Sequence, residues 1–100
     1  MELKTLDDFK KTLHGSLPPD ELSVHGKALW WAGKGNWDKA HELTQDINDK
    51  PASLIHAYLH RFEGDLSNAH YWYAKAGVRM TDQSLEQEWE SLVKDLVISS

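Results

Sequence analysis

The fold is decided by a stretch that occurs twice, first as Gly35-Asn36-Trp37-Asp38-Lys39-Ala40-His41 and then, at a shift of 29 residues (35 to 64), as Gly64-Asp65-Leu66-Ser67-Asn68-Ala69-His70. In each copy the glycine is followed by a polar residue, Asn36 or Asp65, of a type that favours the N-cap of a helix. The small alanine four residues later allows close packing against a neighbouring helix. Both copies therefore predict a helix that begins just after a glycine turn.

Apolar residues recur at helical spacing over nearly the whole chain, and no segment shows sustained two-residue alternation. Glycines, prolines and capping residues divide the chain into six predicted helices. The first is expected to begin at a capping box formed by Thr5 and Asp8 and to end at a left-handed Gly15. The second is expected to run from about Pro19 to Ala32, because proline suits the first turn of a helix.

The repeat resembles the tetratricopeptide family and its shorter relatives over roughly residues 20–77. Its second copy places Ala69, Trp72, Tyr73 and Ala76 at the helical spacing of that repeat's usual core signature. The period is 29 residues instead of about 34, and the first copy lacks the aromatic pair after its alanine. The run from His56 to Tyr73 is also similar to a small uncharacterised family of helical proteins with no established activity.

The resemblance implies an all-α fold, a compact bundle of about six helices built from two tetratricopeptide-like hairpins. The whole chain, residues 1–100, would form a single domain. The two hairpins are expected in residues 18–77, between an N-terminal capping helix in residues 1–17 and a C-terminal one in residues 78–100. Stacking would then bury the apolar face that one hairpin alone leaves exposed.

Composition excludes several kinds of partner. The net charge is −5 and the lysines and arginines are scattered, so neither nucleic acid nor an anionic membrane surface is expected to bind. No apolar run approaches the roughly 20 residues of a membrane span, and the N-terminus does not resemble a signal peptide. The chain has no cysteine, which excludes disulfides and thiolate ligands and fits a cytoplasmic protein.

Histidines supply the strongest chemical pattern in the sequence. There are six, at positions 14, 25, 41, 56, 60 and 70. His56 and His60 lie four residues apart, so they share one helix face, and Glu63 follows one turn later. These three residues predict a divalent transition-metal site, to which His41 or His70 on a neighbouring helix can come near. The alternative is that the histidines only pack and hydrogen-bond between the helices.

Consecutive aromatic residues predict that part of the surface is apolar. Neighbouring residues on a helix point about 100° apart, so Trp30-Trp31 and Tyr71-Trp72-Tyr73 cannot all enter one core. We expect a binding surface that is formed by Trp31, His60, Arg61, Tyr71 and Trp72. The alternative is that the first and last helices cover these aromatic residues.

No catalytic constellation stands out from this sequence. Glu63 and Asp65 are a candidate carboxylate pair for acid–base chemistry, yet Gly64 as a helix end and Asp65 as a cap account for the same residues. No phosphate-binding loop or other cofactor motif is present, so no cofactor is expected. The leading interpretation is a non-enzymatic module that binds a protein segment, a peptide or a second copy of the chain. The alternatives are a metal-binding protein or metal-dependent enzyme, and a small-ligand pocket between helices.

Overall fold

The computed structural model of the chain describes residues 3–98. These residues form six helices: α1 (Leu6–Thr12), α2 (Val24–Gly33), α3 (Trp37–Thr44), α4 (Lys50–Phe62), α5 (Leu66–Ala76) and α6 (Leu85–Val93), with a π-helical turn at Lys94–Ile98 after α6. No strand occurs within residues 3–98, so the predicted all-α class is confirmed. The expected capping segments reach positions 1–2 and 99–100, which lie outside the described residues.

Side-chain caps determine where the helices begin. Each helix follows a residue whose side-chain oxygen accepts a backbone N–H from the first turn; these residues are Thr5, Ser23, Asn36, Asp49, Asp65 and Ser84. The capping box of Thr5 and Asp8 is present as predicted. Because each cap satisfies a donor that the helix leaves unpaired, short polar side chains fix these boundaries locally.

Two predicted boundaries are wrong. α2 begins at Val24 instead of about Pro19, because Ser23 caps it and the segment before it closes a turn in which the Leu22 N–H donates to the Pro19 carbonyl at 3.2 Å. Gly15 is not left-handed: α1 ends at Thr12, and the next residue, Leu13, stays right-handed. A turn bond from the Gly15 N–H to the Thr12 carbonyl then redirects the chain.

The closest helix pairs are α2 with α3 and α4 with α5. Each pair is joined through a glycine in the left-handed region, Gly35 with φ 80° and Gly64 with φ 84°. Equivalent backbone bonds close the two turns, from Asn36 to the Trp31 carbonyl at 2.9 Å and from Asp65 to the His60 carbonyl at 2.8 Å. The two turns therefore match at the predicted shift of 29 residues, while membership of the tetratricopeptide family stays a prediction.

The main core lies between α2, α4 and α6, and α1 packs against α6. Its largest side chains are Trp30 and Phe9, both fully buried, with Trp89 beside them. The indole N–H of Trp30 donates to the Thr12 hydroxyl and that of Trp89 to the Leu29 carbonyl, so both polar groups are satisfied inside the core. Within the described residues, no helix is both long enough and apolar enough to cross a membrane.

Candidate metal centre

Three histidines meet where α3 packs against α4. His41 lies on α3, while His56 and His60 lie one turn apart on α4. One ring nitrogen from each histidine lies within 4.8 Å of the other two. We refer to His41, His56 and His60 as the histidine cluster. Imidazole nitrogens that converge from two helices are a donor set suited to a transition-metal ion.

His56 is the buried member of the histidine cluster, with 1% of its surface exposed. Its Nε2 lies 3.0 Å from the Thr44 carbonyl oxygen, which can only accept a hydrogen bond, so Nε2 carries the proton. In a neutral ring the other nitrogen, Nδ1, then holds a lone pair. This buried Nδ1 has no hydrogen-bond partner among the described residues. An acceptor left unpaired inside a fold is uncommon and calls for an explanation.

His60 has the opposite tautomer. Its Nδ1 lies 2.7 Å from Glu63 Oε1, and because the carboxylate is an acceptor, Nδ1 carries the proton and Nε2 holds the lone pair. About an eighth of the side chain is exposed, 12%. A carboxylate bound to the far nitrogen of a histidine is the usual second-shell partner of a metal-ligating imidazole.

Two tryptophans hold the histidine cluster in place. The Trp37 ring stacks on His41, with centroids 4.7 Å apart, and its indole N–H donates to the Leu59 carbonyl at 2.7 Å. Trp72 of α5 stacks on His56 at 4.2 Å. Packed aromatic faces limit the rotation of both imidazoles, so little side-chain entropy remains to be lost when a ligand binds.

Burial favours the uncharged form of two members of the histidine cluster, His41 and His56. Burial lowers the pKa of His56, although the bond to the Thr44 carbonyl opposes that shift. Burial also lowers the pKa of His41, and the nearby His60 adds to this effect. Neutral imidazole is the form that binds metal, so near neutral pH both rings have a lone pair available.

The structure assembles only part of the metal site predicted from sequence. His56 and His60 do share a face, but Glu63 contacts His60 at the nitrogen that carries its proton. His41 completes the group of three. His70 occupies the equivalent repeat position on α5 and is exposed. The repeat made His41 and His70 equal candidates, and only the packing of α3 on α4 distinguishes them.

The structure places the five residues of the predicted binding surface in different surroundings. Trp31 lies under the Lys39 ammonium, 4.6 Å from its ring centroid, whereas Trp72 covers His56 and His60 joins the histidine cluster. Arg61 is paired with Glu88 of α6 at 2.7 Å. Tyr71 alone is largely exposed, at 58%. The expectation that consecutive aromatic residues face different surfaces is thus confirmed, while their role as a binding surface stays a prediction.

The candidate carboxylate pair has structural partners. Glu63 accepts from His60, and Asp65 accepts from both the backbone and the side-chain amide of Asn68 at the start of α5. These bonds from Asn68 lower the pKa of Asp65. A ring nitrogen of His60 and one carboxylate oxygen each of Glu63 and Asp65 lie within 4.8 Å of one another, yet these groups already pair with one another or with the helix cap.

A separate groove lies between the ends of α1 and α2 on one side and α4 and α6 on the other. Leu13, Tyr58, Phe62 and Trp89 line it, its volume is about 540 Å³, and Lys10 and Glu86 are at its edge. Phe62 is 46% exposed there. The groove is mostly apolar and does not include any residue of the histidine cluster.

Comparison of the chain with models of known protein families gives no match, and searches of curated proteins and of solved structures find no similar protein.

Proposed function

We propose that this protein binds a divalent transition-metal ion, of which zinc is the best example, through His41, His56 and His60. The observation that carries the proposal is the buried Nδ1 of His56, which has no hydrogen-bond partner and belongs to a ring grouped with two other imidazoles. A metal ion would satisfy that atom. Neutral imidazole is a preferred ligand for zinc, copper and nickel.

The hydrogen bonds around the histidine cluster support specific ligand atoms. The Thr44 carbonyl leaves Nδ1 of His56 free to bind metal, and Glu63 leaves Nε2 of His60 free. Zinc–nitrogen bonds of about 2.0–2.1 Å place ligand nitrogens roughly 3.4 Å apart. The nitrogens of the histidine cluster lie within 4.8 Å of one another, so binding an ion would draw them closer by at most about 1.4 Å.

Zinc titration of the metal-free protein, by calorimetry and by elemental analysis after gel filtration, tests this proposal. We expect one bound zinc per chain, and we expect that His41→Ala or His60→Ala largely abolishes it. His70→Ala is the matched control, because His70 stands at the repeat position of His41 but is exposed outside the cluster. Failure of the wild-type chain to retain zinc, or an equal loss in His70→Ala, would reject the proposal.

A second candidate is the module for protein interaction that the sequence suggested, and the groove that contains Phe62 favours it. An apolar segment of a partner, or of a second copy, would fill this groove, with polar contacts to Lys10 and Glu86 at its edge. The lack of cysteine fits the cytoplasmic location that we retain as part of this proposal.

Cross-linking in native extracts, together with size-exclusion chromatography, tests this second candidate. Phe62→Asp is expected to remove a partner that Tyr71→Asp retains, because both residues are exposed but only Phe62 lines the groove. A chain that stays monomeric and captures the same proteins in both variants would exclude the groove as an interface.

A further inference from the structure

The donor groups around the histidine cluster supply three ligands and no fourth. Within the described residues, the group of potential ligands on this side of α4 consists of the three histidines. The nearest carboxylate, that of Glu63, accepts a hydrogen bond from His60, and the Thr44 carbonyl accepts one from His56. Structural zinc sites are closed by four protein ligands, whereas sites with three keep a position for a ligand from solvent.

Burial shows where that position lies. His56 and the ring of Trp72 form the inner wall, and His56 is almost completely buried. The opposite side is more open, because His41 is only partly buried and the Glu63 side chain beside His60 is 39% exposed. Because His41 and His60 are the less buried members, a ligand from solvent would reach the metal past these two rings, beside Trp37, which contacts both.

Building on the proposed metal binding, we infer that the metal keeps one exchangeable coordination position, which takes water or a small monodentate anion. The three imidazoles are neutral, so the bound ion keeps its full double positive charge, and an anion is the favoured fourth ligand. Cyanate, thiocyanate and azide have the required size and charge. A metal with such a position can polarise a ligand that binds there, which a closed structural site cannot do.

Cobalt(II) in place of zinc makes this position visible, since the absorption bands of cobalt change with its ligands. The cobalt-loaded wild-type chain would be titrated with sodium azide, and the bound cobalt would be measured again after gel filtration. We expect a saturable, one-to-one spectral change while cobalt stays bound. His70→Ala is expected to give the same response, because that histidine lies outside the cluster.

The outcomes separate the inference from the function on which it rests. If cobalt stays bound but its spectrum does not change with azide, the inference of an exchangeable position is wrong and the proposed metal binding still holds. A chain that fails to bind cobalt or zinc overturns both. Glu63→Gln tests whether the carboxylate of Glu63 becomes the fourth ligand of the metal. If azide changes the spectrum of that variant but not of the natural chain, the carboxylate fills the position and the inference is wrong. Equal responses of the two chains support the inference.

Discussion

At the scale of single residues, Glu63 orients the histidine cluster without belonging to it. Its carboxylate accepts a hydrogen bond from Nδ1 of His60, which leaves Nε2 as the nitrogen available to a metal. Glu63→Ala removes this restraint and frees His60 to change tautomer or rotate. We expect zinc affinity to fall roughly 10- to 100-fold, as is usual when such an outer partner of a ligand is lost.

Competition between the protein and a chelator measures this change in affinity. Glu42→Ala is the matched control, since Glu42 is an exposed acid on α3 next to His41 in sequence. Removing either carboxylate changes the net charge equally, so a general electrostatic effect would weaken both variants alike. Equal losses in the two variants would contradict a specific role for Glu63.

The buried side chain of Tyr58 makes the stability of the fold depend on pH in the alkaline range. Burial raises the pKa of Tyr58 to about 12, and the negative charge of Glu88 adds to the shift. The neutral phenol is favoured in the folded state, so its contribution to stability is complete below the ordinary pKa of 10.0. That contribution is lost as the pH rises from there towards about 12.

The free energy of unfolding, measured in urea across this alkaline range, is therefore expected to fall less steeply for Tyr58→Phe than for the natural chain. Because the chain has three tyrosines, the difference in tyrosinate absorbance between the folded natural chain and Tyr58→Phe would report the ionisation of Tyr58. The expected effect of burial would be wrong if Tyr58 ionised with the ordinary tyrosine pKa of 10.0. It would also be wrong if the natural chain and Tyr58→Phe lost stability in parallel.

At the scale of elements, the glycine turns test whether the two hairpins are equivalent. Gly35 and Gly64 have nearly the same positive φ, and a Cβ added at either would meet nothing within 4 Å. An alanine there is penalised by backbone conformation alone, by about 1–2 kcal/mol. We expect Gly35→Ala and Gly64→Ala to lower the free energy of unfolding by equal amounts.

Urea unfolding of the two variants measures that penalty, and Gly15→Ala is the control. Gly15 lacks a positive φ, and a Cβ at that position would make only ordinary contacts, the nearest at 3.4 Å. We therefore expect little change in Gly15→Ala. A clear difference between the two turn variants would show that the hairpins are not energetically equivalent.

Local rules explain which elements were predictable from sequence. Asn36, Asp65 and the capping box at Thr5 act within one turn of the residues that they cap, so the sequence contains the whole interaction. The start of α2 was misplaced because two local signals competed, proline in a first turn and serine as a cap. Only the turn closed by Leu22 and Pro19 decides between them.

The histidine cluster was only partly predictable for the opposite reason. His56 and His60 share a face by helical spacing alone, which the sequence shows. The choice of His41 over His70 and the pairing of Glu63 with His60 Nδ1 depend on how α3 packs and how the α4–α5 turn closes. Such long-range and side-chain details are not determined by periodicity.

At the scale of the whole molecule, one polar network joins the last helix to the second helix pair. Arg61 of α4 donates to Glu88 Oε1 at 2.7 Å, and Tyr73 of α5 donates to the other oxygen of the same carboxylate. Glu88 is buried, so its charge depends on these two donors in place of water. α6 also carries Glu90, which pairs with Lys10 of α1 in a more exposed position.

The same substitution is expected to lower stability by very different amounts at these two acids of α6. Glu88→Gln leaves the guanidinium of Arg61 without its charged partner in a poorly solvated place, and we expect a loss of about 2–3 kcal/mol in the free energy of unfolding. Glu90→Gln removes only a solvent-screened pair, for which a much smaller loss is expected. Urea unfolding of both variants measures the difference. Similar losses would mean that burial does not strengthen the network, and that apolar packing alone holds α6 against α4.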